Sequence, residues 1–105
     1  MYIVVFVTVP SAKIAGVIAT AVVQAKLAAC VNIILSIRSV YKWKGKLCRD
    51  KEALMVIKTK KTLFPKLADK IRVMHPYQVP EIIGLPIIAG NKPYLKWLNA
   101  AVKTR

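Results

Sequence analysis

A chain of 105 residues makes one domain with room for a single hydrophobic core. Its 18 Lys and Arg stand against 4 Asp and Glu, a formal charge of +14, while 56% of its residues are hydrophobic; that balance excludes a disordered polar segment. No run approaches the ~18 continuous apolar residues of a membrane span, and two cysteines are too few for a disulfide framework.

Met1 leads straight into a strand-like run, with no basic stretch followed by an apolar signal segment, and a cytoplasmic location is the expectation. Tyr2 to Val9 (YIVVFVTV) is a continuous β-branched and aromatic run, expected to be a central strand buried on both faces. Pro10 and Ser11 break it, and Ser11 is placed to cap a helix. From about Ala12 to Leu27, Ala15, Ile18, Ala19, Val22, Val23 and Leu27 recur at helical spacing.

Between Cys30 and Trp43 the pattern switches to a period of two. Val31, Ile33, Leu35, Ile37, Ser39, Tyr41 and Trp43 are expected on one face of a strand, with Asn32, Ser36, Arg38, Lys42 and Lys44 on the other. Gly45 interrupts, and a second β-rich run continues through Leu47 and Ala53 to Ile57; the two read as an antiparallel hairpin turning at Gly45. A strand of about 14 residues is ~45 Å long. The body of a domain this size is only ~35 Å across. The hairpin therefore overhangs its own domain while still carrying Val40, Tyr41, Trp43 and Leu47, and another copy of the chain is expected to cover it.

Lys60 to Thr62 marks a turn with Thr62 as the next candidate cap, and Leu63, Leu67, Ile71 and Met74 form the stripe of a second helix that Pro76 ends. Val79 to Ile88 (VPEIIGLPII) reads as a strand, placed at an edge because Pro80 and Pro86 each lack a donor. Gly90 and Asn91 introduce a last helix beginning near Lys92. The order β-α-β-β-α-β-α is that of an α+β, ferredoxin-like split βαβ sandwich with an extended hairpin and an added C-terminal helix, one domain over 1–105.

Several ordered stretches are similar to those of the CutA divalent-cation tolerance family. They are KLAACVNI (26–33), SVYKWKGKL (39–47), Asp50-Lys-Glu52, Ile57-Lys-Thr59, HPYQVPEI (75–82) and Tyr94-Leu-Lys-Trp97. The resemblance runs nearly end to end. It implies a homotrimer similar to the PII signalling proteins, a non-enzymatic role in tolerance of copper and other divalent cations, and metal that folding does not require. It also implies an alternative role as an interaction protein, anchoring a membrane-associated partner such as acetylcholinesterase. One departure is clear: the hairpin tip carries Lys42, Lys44, Lys46 and Arg49, where the family is usually acidic, which weighs against acidic surface metal sites.

The residues themselves leave the site open between two readings. Cys30 and His75 are the soft and borderline groups within the shared motifs, where copper or another divalent cation would look first. Cys30 reads more readily as a small core residue, and His75 as readily as the cap of the helix it ends. Cys48 near the turn is widely offset from Cys30 along the paired arms, so both are expected to be free thiols. Tyr41, Trp43, Tyr77, Tyr94 and Trp97 are expected to anchor subunits or to line a cleft between them, with Glu52, Lys58 and Glu81 as its polar groups, Glu52 being an ion-pair partner for Lys58. Nothing resembles a catalytic triad or a phosphate loop. Zinc-finger and RNA-recognition patterns are also lacking, so nucleic acid is expected only as a non-specific partner of the basic surface.

Overall fold

The computed structural model describes residues 1–103; the last two positions of the single-domain reading, Thr104 and Arg105, lie outside it. Four strands, β1 (Tyr2–Val9), β2 (Cys30–Trp43), β3 (Lys46–Lys60) and β4 (Ile82–Pro86), form one sheet in the order β2-β3-β1-β4. Every neighbouring pair is antiparallel. Helices α1 (Ala12–Gln24) and α2 (Phe64–Met74) follow β1 and β3, and α3 (Lys92–Ala101) closes the chain. This is the ferredoxin-like sandwich with an added helix that the element order implies.

Local chemistry explains most boundaries. The Ser11 hydroxyl accepts the Ile14 N–H at 3.2 Å and starts α1. That helix ends at Gln24, short of the expected Leu27, because Lys26 turns left-handed (φ 58°). Thr62 does not cap α2: it lies in a single 3₁₀ turn, Lys61–Leu63, and Leu63 precedes the helix without a side-chain cap. The fourth strand is confined to Ile82–Pro86, at the sheet edge as expected; Val79, Pro80 and Glu81 remain in the connecting loop.

Cross-strand partners point to the same side of a sheet, so the register sorts the residues. Val5, Val7 and Val9 of β1 pair with Ile57, Met55 and Ala53 of β3, all buried under α1 and α2 with Ile18, Val22, Leu67 and Ile71. The Thr59 hydroxyl, also on this side, donates to the Leu27 carbonyl at 2.7 Å and ties β3 to the turn after α1. The opposite side holds Val4, Phe6, Leu54 and Val56, which are half-buried. Helix α3 closes only one end of it, where Leu98 and Val102 pack with Ala29 and Tyr2. Thus β1 is central in the sheet but buried on one face, a correction to the two-faced expectation. The apolar second face has no cover from the described residues.

The hairpin turns at Lys44-Gly45, both with positive φ (51° and 77°), between the paired Trp43 and Lys46. Two central residues in the left-handed region make the tight turn whose twist suits paired strands. The arms stretch the molecule to 44 × 26 × 22 Å, its long axis close to the hairpin length read from the sequence.

One feature of β2 was not expected. Ile34 pairs with Leu54, yet Ile37 pairs with Glu52, so Leu35 and Ser36 together oppose Ala53. This is a β-bulge, with Ser36 at φ 59°. The extra residue reverses the alternation: Val31 and Ile33 face the helices, whereas Ile37, Ser39, Tyr41 and Trp43 face the other side. The single apolar face expected from Val31 to Trp43 is therefore two half-faces.

Candidate functional site

Because of that reversal, the aromatic half of β2 shares a side with Asp50 and Glu52 of β3. The loop after α2 crosses the end of the sheet to meet them. Its anchor is His75, buried at 7% exposure, whose Nε2–H donates to the Thr8 carbonyl at 2.7 Å while Nδ1 accepts the Tyr77 N–H at 3.1 Å. These two bonds select the neutral tautomer with its proton on Nε2. The ring therefore does not cap α2 through its last carbonyls; it fastens the loop to the end of β1.

That fastening delivers Tyr77 to Glu52. The phenol donates to the Glu52 carboxylate at 2.7 Å, and Glu52, at 7% exposure, is the buried acid of the chain. Burial of the Tyr77 phenol, then its bond to Glu52, raises its pKa well above the ordinary tyrosine value. The Tyr41 hydroxyl likewise donates to Asp50, and that bond, foremost, pushes its pKa up to about 12. The outcome is a cleft of about 730 Å³ lined by Tyr41, Trp43, Glu52, Tyr77 and Glu81, together with Thr8 and Ser39. Glu81 is exposed on it.

Five of the residues singled out in the sequence thus converge here with His75 behind them, and Cys30, Lys58, Tyr94 and Trp97 do not. Lys58 pairs in register with Cys30, six residues along β3 from Glu52 or roughly 20 Å at strand spacing. It hydrogen-bonds Asn32 instead of forming the expected ion pair with Glu52. Tyr94 and Trp97 stack on α3, ring centroids 5.5 Å apart, and both are exposed. Burial, followed by the nearby Cys30, raises the Tyr94 pKa. Thr8, Ser39 and Gln78 line the cleft without having been foreseen. Ser39 reaches it only through the bulge, and Thr8 offers no sequence signal beyond ending β1.

The two metal candidates also stand apart. Cys30 is half-buried, its thiol 3.9 Å from Asn32 Oδ1, whereas His75 lies beside Thr8 at the other end of the sheet. Cys48, half-buried and opposite Tyr41, is free like Cys30. Among the described residues no three His, Cys, Asp or Glu side chains gather as a metal-binding group. No described helix is long and apolar enough to cross a membrane.

Comparison with known proteins gives a consistent answer. The family model described as CutA1 divalent ion tolerance protein matches residues 3–101. The chain is 52% identical over 99 residues to Protein CutA of Homo sapiens, covering 94% of this chain and 55% of that protein. It is 50% identical over 96 residues to the divalent-cation tolerance protein CutA of Thermus thermophilus, covering 91% and 93%. The crystal structure of CutA1 from Oryza sativa superposes with a TM-score of 0.97 at 44% identity, covering 99% of this chain and 95% of that one. The chain thus spans about half the length of its human relative and nearly all of the Thermus one.

Proposed function

The chain belongs to the CutA1 divalent ion tolerance family, whose members are not catalysts, and on that premise we propose that it works as a homotrimeric binding module in the response to divalent metal ions, copper above all. The observation that carries the assembly is the uncovered sheet face. Ile34, Ile83 and Leu85 are 48%, 49% and 41% exposed beside the half-buried Val4, Phe6, Leu54 and Val56. Tyr41 and Trp43 extend the same side along the overhanging hairpin. An apolar strip of this length on a monomer is an association surface, and copies of the chain are its natural cover. In such an assembly the cleft around Glu52 and Tyr77 borders a neighbouring subunit, which supports its reading as a boundary site.

For copper, the thiol is the better of the two candidates. A thiolate suits Cu(I), and the half-buried Cys30 lies beside an amide oxygen on the side of the sheet away from α1 and α2, whereas both ring nitrogens of His75 are already engaged. Titrating copper into the parent, Cys30→Ser, Cys48→Ser and His75→Ala proteins tests this. The reading expects Cys30→Ser to lose stoichiometric binding and Cys48→Ser to keep it. Unchanged stoichiometry in both Cys30→Ser and His75→Ala would reject direct ligation, and a loss confined to Cys48→Ser would mark adventitious binding by the thiol near the hairpin tip.

A further inference from the structure

The bulge that gathers the aromatic residues on one side of the hairpin gathers its cations on the other. Arg38 pairs directly with Lys51, Val40 with Arg49, and Lys42 with Leu47, all on the helix side of the sheet and all exposed. Asp50 and Glu52, the acids of the hairpin, face the opposite way. Among the described residues the one ion pair is Arg72 with Asp69 on α2, so these four cations have no acidic partner. Like charges placed directly opposite each other on a strand pair are unfavourable. A ribbon that sets Arg38 against Lys51, with Arg49 on the next rung, is arranged for an anion supplied from outside.

The shape of the surroundings narrows what that anion is. At the base of this face Lys51 and the bulge meet the start of α1 in a corner lined by Pro10, Ser11 and Ala12, with Glu52 also on its wall. There the first turn of α1 carries no acid, and of its N–H groups the Ser11 hydroxyl takes that of Ile14. Phosphate oxygens of a nucleic-acid backbone are met by this combination of Arg, Lys and a helix N-terminus. A two-stranded ribbon is also among the elements that the major groove of duplex DNA admits. A lipid surface is served less well: Val40 and Leu47 are the only apolar side chains between the cations, and Trp43 points to the other side. We propose that the helix side of the β2–β3 hairpin is a docking surface for the backbone phosphates of double-stranded DNA, engaged without sequence preference. It lies opposite the face assigned to self-assembly, so the two readings stand or fall separately.

The test is the salt dependence of binding to a short labelled duplex of arbitrary sequence, between about 50 and 200 mM salt. Arg38→Gln, Lys42→Gln, Arg49→Gln and Lys51→Gln together remove four charges from the face. Lys61→Gln, Lys66→Gln, Lys70→Gln and Lys96→Gln remove four exposed charges elsewhere. With ~0.9 in log–log slope per phosphate contact, the hairpin variant is expected to lose about 3.6 and the control to stay near the parent. The milder pair Arg38→Gln and Lys51→Gln should lose about 1.8, and serves if the quadruple variant folds poorly. Equal losses in the hairpin and control variants would overturn the proposal, leaving only diffuse attraction to a basic protein. So would tighter binding of phosphatidylserine vesicles than of duplex by the parent. Native mass is measured on each variant: dissociation of the hairpin variant would assign the cations to the subunit contact and likewise overturn the proposal.

Discussion

Tyr77 shows how one side chain serves fold and cleft together. Its N–H orients His75, and its hydroxyl is the observed partner of a buried carboxylate. Tyr77→Phe leaves Glu52 in place without that donor, and hydrogen bonds to charged groups contribute ~1.5–3 kcal/mol. The variant is expected to lose about that much stability in urea unfolding at fixed chain concentration; an unchanged midpoint would make the bond incidental. The raised pKa values fix the pH dependence as well. Below the ordinary tyrosine value of 10.0 the phenols are protonated in folded and unfolded chains alike, and their contribution is fully present. Above it the unfolded chain sheds protons that the folded chain retains. Stability therefore falls as pH rises from 10.0 to about 12 for Tyr41, and further for Tyr77. In Tyr77→Phe that alkaline decline should be shallower. Little of this was legible beforehand: Glu52, Tyr77 and Glu81 were picked out, but Glu52 was assigned to Lys58, since strand spacing alone does not show which loop returns to which rung.

The hairpin is the element that decides what the rest can do. Its turn, its length and its overhang follow from alternation, Gly45 and residue count. The bulge does not, because Leu35 and Ser36 each fit the alternating pattern as well as their neighbours do. The trace it leaves is the run Ile33-Ile34-Leu35, three apolar residues where strict alternation allows two at most. Deleting Ser36 tests its role. One-to-one pairing would then set Leu35 opposite Ala53 and leave Ile37 opposite Glu52, so Tyr41 and Trp43 stay on the side of Asp50 and the cleft. Sheet content by circular dichroism should persist, and the Tyr41 phenol should still titrate near 12 in spectrophotometric titration. A Tyr41 that returns toward its ordinary 10.0 would mean that the shortened strand slips by one residue and turns its aromatic half to the helix side. The edge position of β4 was legible from Pro80 and Pro86, but its extent only in part: the strand starts late, at Ile82, after the loop that carries Tyr77 to the cleft.

At the scale of the whole molecule the opposing sides have opposite requirements. The helix side is sealed by α1 and α2, and beyond the body it carries unpaired cations; the other side is apolar along its middle and aromatic and acidic toward the hairpin. The sequence announced this imbalance in its high hydrophobic fraction and its overlong hairpin, and misplaced it in expecting β1 to be buried on both faces and β2 to keep one apolar face throughout. A single copy leaves that second face in water; three copies that share it do not. The most direct measurement is the native mass by light scattering at micromolar chain concentration. Self-assembly through the uncovered face predicts a particle of three times the 11.7 kDa chain, persisting on dilution. A soluble, heat-stable particle of 11.7 kDa would contradict it.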